Sequence, residues 1–220
     1  MAEPRRSAEK PRFTLGEEIA HSVSHGIGIV ASIVGLTVLV AFASMRGTAK
    51  DVVACSIFGA CLVLLYTAST IYHGVPVARA RPVLQVIDHA GIYLLIAGTY
   101  TPLALLKLPA PAGWALLGVL WTAAVIGIVL DAVLRERFRV GSLVLYLLMG
   151  WSVVAVAAPL RRSLAPGGWA LLVAGGVAYT VGVVFYASRT RYHHFVWHLL
   201  VMTGSVLQFL AILLYVIPPA

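Results

Sequence analysis

Charge is scarce in this chain of 220 residues. Only 11% of them are charged while 60% are hydrophobic, and the mean hydropathy is +0.94. A soluble domain of this size needs far more polar surface to stay in solution. A soluble globular fold is therefore excluded, and the surplus apolar residues must face lipid. The alternation of apolar and polar residues over about ten positions, which a membrane β-barrel strand requires, is also missing. Apolar residues instead run on for about 20 at a time, the length of a membrane-crossing helix. Only helices and closed barrels satisfy their backbone groups in hydrocarbon, so the runs are helices. Cysteine is nearly absent. Cys55 and Cys61 lie six apart in one apolar segment, on different faces of a helix, and form neither a disulfide nor a metal pair. The net charge of +8 is spread through short links, which fits membrane topology rather than a nucleic-acid surface. No cleaved signal peptide is expected, because the opening MAEPRRSAEKPRFTLGEE is polar and the run Ile19 to Ser44 is too long for a signal core.

Seven apolar runs can be read along the chain: Ile19–Ser44, Val52–His73, Val83–Leu106, Trp114–Leu134, Ser142–Ala158, Trp169–Ser188 and His193–Ile217. The fifth is the weakest. The fold predicted is an all-α membrane protein, a seven-transmembrane helix bundle. A polar cytoplasmic N-terminal tail (1–16) precedes a seven-helix membrane domain (17–220). Lys and Arg accumulate on the cytoplasmic side of membrane proteins. With the N-terminus inside, the inner segments hold eleven of the 16 basic residues and the outer links five. The N-terminus is thus expected in the cytoplasm and the C-terminus outside. The tryptophans lie mostly toward span ends, as interface anchors do, and Pro102 is expected to kink or end the third span.

On this map the outward half contains no histidine. His21 and His25 open span 1, His73 closes span 2, His89 lies early in span 3, and His193, His194 and His198 open span 7. All seven therefore fall in one layer near the inner face. Of the eight acidic residues Asp51 and Asp131 lie at span boundaries and Asp88 alone lies well inside an apolar segment, and an intramembrane carboxylate is by default a functional-site residue with a partner in the same layer. His194 and His198 are four apart, which puts both imidazoles on one helix face, the arrangement by which a helix presents two ligands to one metal. Ser69 and His73 share that spacing. Three imidazoles and one open position make a catalytic rather than a structural zinc site. Zinc held that way acidifies a bound water and polarises carbonyls, with Asp88 suited to the role of base and Ser69 to a supporting hydrogen bond. Against this stand plainer roles. A single histidine at a membrane boundary is more often an interfacial residue, and His21, His25, His89 and His193 each fit that role or a supporting one. A lone Asp88 would serve as a hydrogen-bond partner for a neighbouring helix. Glu17 and Glu18 suit a helix N-terminus, with a reach that extends to the histidine layer.

Four segments carry a family resemblance: EEIAHSVSHGIG at 17–28, STIYHG at 69–74, DHAGIYLLIAGTYTPLAL at 88–105 and HHFVWHLLVM at 193–202. They closely resemble the hemolysin III family, the bacterial branch of the progestin and adipoQ receptor superfamily, which is related more distantly to alkaline ceramidases. The resemblance implies a seven-span protein of the bacterial inner membrane with a zinc ion near its cytoplasmic face. It implies His73, His194 and His198 as the metal ligands, Asp88 on the zinc-bound water and Ser69 beside the site. The function it suggests is a metal-dependent hydrolase of a lipid amide or ester, with membrane lipids as partners and no nucleic acid. Two alternatives compete with it. One is a sensor or regulator of membrane state in which zinc is structural. The other, ranked last because spans 4 to 6 are almost wholly apolar, is a pore-forming haemolysin or proton pathway.

Overall fold

The computed structural model describes residues 13 to 218. Most of the expected N-terminal tail, and the last two residues of the expected membrane domain, lie outside them. All regular structure among the described residues is helical: α1 (Leu15–Arg46), α2 (Ala49–Gly74), α3 (Arg81–Lys107), α4 (Ala110–Leu134), α5 (Arg139–Gly150), α6 (Ala157–Ser163), α7 (Pro166–Ala187) and α8 (His193–Ala211). A π-helical turn, Ile212–Val216, extends α8, and 3-10 turns at Arg135–Phe138 and Trp151–Val156 flank α5. The helix starts follow from local chemistry. At α1 the Thr14 hydroxyl accepts from Glu17 N, and the Glu17 carboxylate accepts from Thr14 N at 3.0 Å, a reciprocal pair that satisfies two orphan donors. α3, α4 and α7 open with Pro82, Pro111 and Pro166 in their first two positions, where a missing N–H costs nothing.

Six stretches are long and apolar enough to cross a membrane. Outward-facing side chains such as Val30 (65% exposed), Leu148 (66%) and Val184 (68%) are apolar, whereas a water-facing surface would intersperse charge. This is a multi-pass membrane protein. One of the six stretches, Ala110–Ser163, is 54 residues long. As a single straight helix it would extend about 80 Å against a hydrocarbon core of about 30 Å. It is not straight. α4 runs antiparallel to α3, with Gly113 against Ala104 and Gly127 against the Tyr93 ring. α5 runs in the same direction as α3, with Tyr146 against Tyr93 at 4.4 Å between ring centroids and the Tyr100 hydroxyl on Gly150 O at 2.5 Å. The chain therefore reverses at Arg135–Phe138, where Arg135 takes a positive φ of 50°.

Close approaches give the other directions. α1 and α2 are antiparallel, with Gly28 on Tyr66 and Gly59 on Leu36, and so are α2 and α3, with Gly91 on Leu65 and Gly98 on Cys61. α7 and α8 are antiparallel, Gly168 meeting Tyr215 and Gly182 meeting Trp197. α1 and α8 run the same way, since Ser24 meets His198 and Gly35 meets Phe209.

Two local expectations are refined. Pro102 does not end the third span: it sits inside α3, which continues to Lys107. Trp197 is no interface anchor. It is 8% exposed, seated where Gly182 leaves room for its ring. Cys55 and Cys61 are free and buried, as their spacing suggested.

Candidate metal centre

Five of the seven histidines meet at one end of the bundle, and three helices bring them there. His21 and His25 come from the first turns of α1, His73 from the last turn of α2, and His194 and His198 from the first turns of α8. All five are buried. The His21 ring centroid lies 4.7 Å from that of His73, 4.8 Å from His194 and 5.1 Å from His198. His194 and His198 are 4.8 Å apart, and His73 and His198 5.1 Å. The i, i+4 spacing thus places both imidazoles of α8 in one cluster.

The donor atoms single out a trio. One ring nitrogen each of His21, His73 and His194 lies within 4.8 Å of the others, an arrangement that can hold a metal ion. His198 lies beside this trio, its Nδ1 3.3 Å from Ser24 Oγ and 3.3 Å from His21 O. Among the described residues neither nitrogen of His21 and neither of His25 has a hydrogen-bond partner, nor has Nε2 of His73. Buried polar atoms are normally paired, and each left unpaired costs about 1–3 kcal/mol. Neutral imidazole nitrogens are the donors that zinc and its neighbours in the transition series accept. The residues present therefore fit a metal ion.

His73 is held from outside the cluster. Its Nδ1 is 2.7 Å from Glu18 Oε2, and the Arg81 guanidinium donates to Glu18 Oε1. Glu17, one residue earlier, accepts from Tyr192 N at 2.9 Å and so ties the start of α1 to the start of α8. Phe13 covers the outer mouth, its ring 4.8 Å from His21 and 4.9 Å from His194.

Asp88 and Ser69 stand to one side. They line a small pocket with His194, His198 and Trp197. Gly91 brings them together: a Cβ there would lie 3.1 Å from Leu65 Cα. Gly91 and Leu65 are each within one turn of Asp88 and Ser69, so close packing at the glycine sets the two polar side chains face to face. A larger apolar cavity of about 110 Å³ adjoins this pocket and shares Leu65, Ile92, Trp197 and Val201 with it.

The remaining histidines are used elsewhere. His193 Nδ1 lies 2.7 Å from Ser188 Oγ. His89 belongs to a second buried polar group, with Nε2 3.3 Å from the Tyr186 hydroxyl and Nδ1 3.9 Å from Asp131 Oδ2. Asp131 is 4% exposed; the Ser142 hydroxyl donates to it and that of Tyr146 lies 3.5 Å away. Sequence reasoning set Asp131 at a span boundary and did not see this group. It gave His21 only an interfacial or supporting role, because the i, i+4 rule does not pair it with His73 or His194, whereas the structure brings it into the trio.

A family model for haemolysin-III related proteins matches residues 13–209. The chain is 42% identical to hemolysin-3 of Bacillus cereus over 205 residues, covering 93% of this chain and 94% of that protein. It is also 42% identical to the hemolysin-3 homolog of Bacillus subtilis (strain 168), over 92% of this chain and 96% of the relative. At 28% identity over 96% of the chain and 89% of the relative it resembles the human monocyte to macrophage differentiation factor, which fits the progestin and adipoQ receptor superfamily. The match spans nearly every helix and every histidine of the cluster, so the chain belongs to the haemolysin III family.

Proposed function

We propose that this protein is a seven-span, zinc-dependent hydrolase of a lipid amide or ester in the bacterial inner membrane, with its N-terminus and metal centre on the cytoplasmic side. The span count is supported by helix direction. α1 and α8 run the same way and the chain reverses between α4 and α5, which suits seven alternating crossings and not six. The orientation is supported by the eleven basic residues assigned to the inner segments against five.

The metal is supported above all by Nε2 of His73, a buried imidazole nitrogen with no hydrogen-bond partner among the described residues. His73, His194 and His198 would hold it. When bound, zinc supplies Lewis acidity toward a carbonyl and acidifies a water. Asp88 takes the proton from the attacking water and Ser69 steadies Asp88. The apolar cavity beyond Trp197 takes the hydrocarbon of the substrate. The test places purified protein in vesicles holding a fluorescent N-acyl amide lipid or a fluorescent acyl ester lipid. Turnover is expected for the wild type, and its loss in Asp88→Ala with metal content unchanged. Equal turnover in that variant would remove Asp88 from the chemistry.

A second reading has one observation behind it. The trio whose donors converge contains His21 rather than His198. If His21 joins the other three, four imidazoles close the coordination sphere, and closed tetrahedral sites are structural. The protein would then be a membrane-state sensor or regulator whose metal ties α1, α2 and α8 together. Elemental analysis separates the two. Under the hydrolase reading His73→Ala, His194→Ala and His198→Ala each lose metal and His21→Ala keeps it, whereas the closed site loses metal in all four.

A further inference from the structure

Glu18 is the one acidic side chain of α1 that reaches a histidine of the cluster within hydrogen-bond distance. Its Oε2 lies 2.7 Å from His73 Nδ1 and 4.0 Å from His21 Nδ1. Its other oxygen receives the guanidinium of Arg81, the first residue of α3. An exposed pair of this kind at helix ends contributes little. This one is not exposed: the His73 side chain is 0% accessible and that of Glu18 13%. A carboxylate in that place demands a proton on Nδ1, because Nδ1–H is what it accepts. The lone pair of His73 is thereby set on Nε2, the nitrogen that makes no hydrogen bond. Tautomer and ring orientation are thus fixed by one contact, and Arg81 fixes the carboxylate in turn.

We infer that Glu18 is the positioning residue of the metal centre, presenting Nε2 of His73 to the ion while Arg81 anchors it, an inference that rests on the metal reading above. A carboxylate behind a ligating histidine orients the ring and raises its basicity, and removing such a partner weakens metal affinity by about 10–100-fold. Glu18 also joins α1, α2 and α3 at the mouth of the site, so the segment carrying Asp88 is registered against the ligand helix by the same side chain.

The experiment uses the full chain in detergent, titrated with zinc against a chromogenic chelator, with cobalt(II) absorption as a second readout. Wild type is expected to bind one equivalent. Glu18→Ala should bind one equivalent about 10–100-fold more weakly. Glu18→Gln, whose amide oxygen still accepts from Nδ1–H but carries no charge, should fall between the two. Its metal-free unfolding midpoint should match that of the wild type, which places the loss in metal binding and not in the fold. Unchanged affinity in both variants, with wild type binding one equivalent, would overturn the role of Glu18 and leave the metal reading standing. So would a metal-free midpoint lowered in proportion to the affinity, since Glu18 would then be a structural clasp. Cobalt bands that report a lost ligand in Glu18→Ala would make Glu18 a ligand and overturn its positioning role. A wild type that binds no metal would overturn the metal reading and this inference with it.

Discussion

His25 lies flat against His198, with ring centroids 3.7 Å apart and planes within 13° of each other. Neither nitrogen of His25 has a hydrogen-bond partner among the described residues that meets ordinary geometry, so its main contacts are the stack and a T-shaped contact with Tyr66 at 5.0 Å. His25 is therefore a wall of the histidine cluster, stacked on the ring of His198. His25→Ala opens a cavity, for which roughly 3–5 kcal/mol of lost stability is expected from aromatic truncations in cores. His25→Phe keeps the ring and removes two unpaired buried nitrogens, so it should be at least as stable as wild type. Thermal unfolding of the two variants in detergent checks both statements.

Gly91 sets the distance between α2 and α3 at the pocket. A side chain there would press on Leu65 Cα at 3.1 Å, and backbone does not yield as a flexible side chain would. Gly91→Val is expected to cost about 1–3 kcal/mol, as overpacking does, and to separate Asp88 from Ser69. In lipid turnover assays it should behave like Asp88→Ala while still binding metal, because none of the clustered histidines lies on α3.

Crossing number can be read chemically. Cys55 and Cys61 are buried, so cysteines introduced at single positions report their own side of the membrane. With seven crossings, a cysteine at Arg162 is labelled from outside intact cells by a membrane-impermeant thiol reagent, and one at Arg137 is not. Six crossings would leave Arg162 unlabelled.

Tyr100 deserves a variant of its own. Its hydroxyl donates to Gly150 O at 2.5 Å and accepts from Val153 N at 2.9 Å, splicing the break between α5 and the 3-10 turn Trp151–Val156. Tyr100→Phe removes both of these side-chain hydrogen bonds from the interior of the bundle. A loss of about 1–3 kcal/mol is expected, measurable as a lower unfolding midpoint, with the metal content of the folded fraction unchanged.

The helices were legible because apolar runs of membrane-crossing length leave few alternatives, and the histidine layer because span ends fix depth. Rotation about each helix axis was not legible. His21 and His25 are both at the start of one span, and only the packing of α1 against α2 and α8 decides which faces His73 and His194. Trp197 looked like an anchor because it lies near a span end; the missing side chain of Gly182, on another helix, takes it inside. The weakness of the fifth run did appear in the sequence, and the structure supplies its form, two short helices around a 3-10 turn. The group at Asp131 was hidden because its partners, Ser142, Tyr146 and His89, come from helices that meet only after the chain reverses.

That broken fifth leg bears on biosynthesis. A helix whose own ladder is interrupted, and whose last turns carry Arg161 and Arg162, is a poor substrate for release into lipid by itself. The Gly150 carbonyl and Val153 amide at its break are bridged by a tyrosine of α3, made some 50 residues earlier on the ribosome. The order of synthesis thus matters: the nascent fifth segment enters a membrane where its splint is already standing, and a circularly permuted chain that made it first would leave it at the translocon without one.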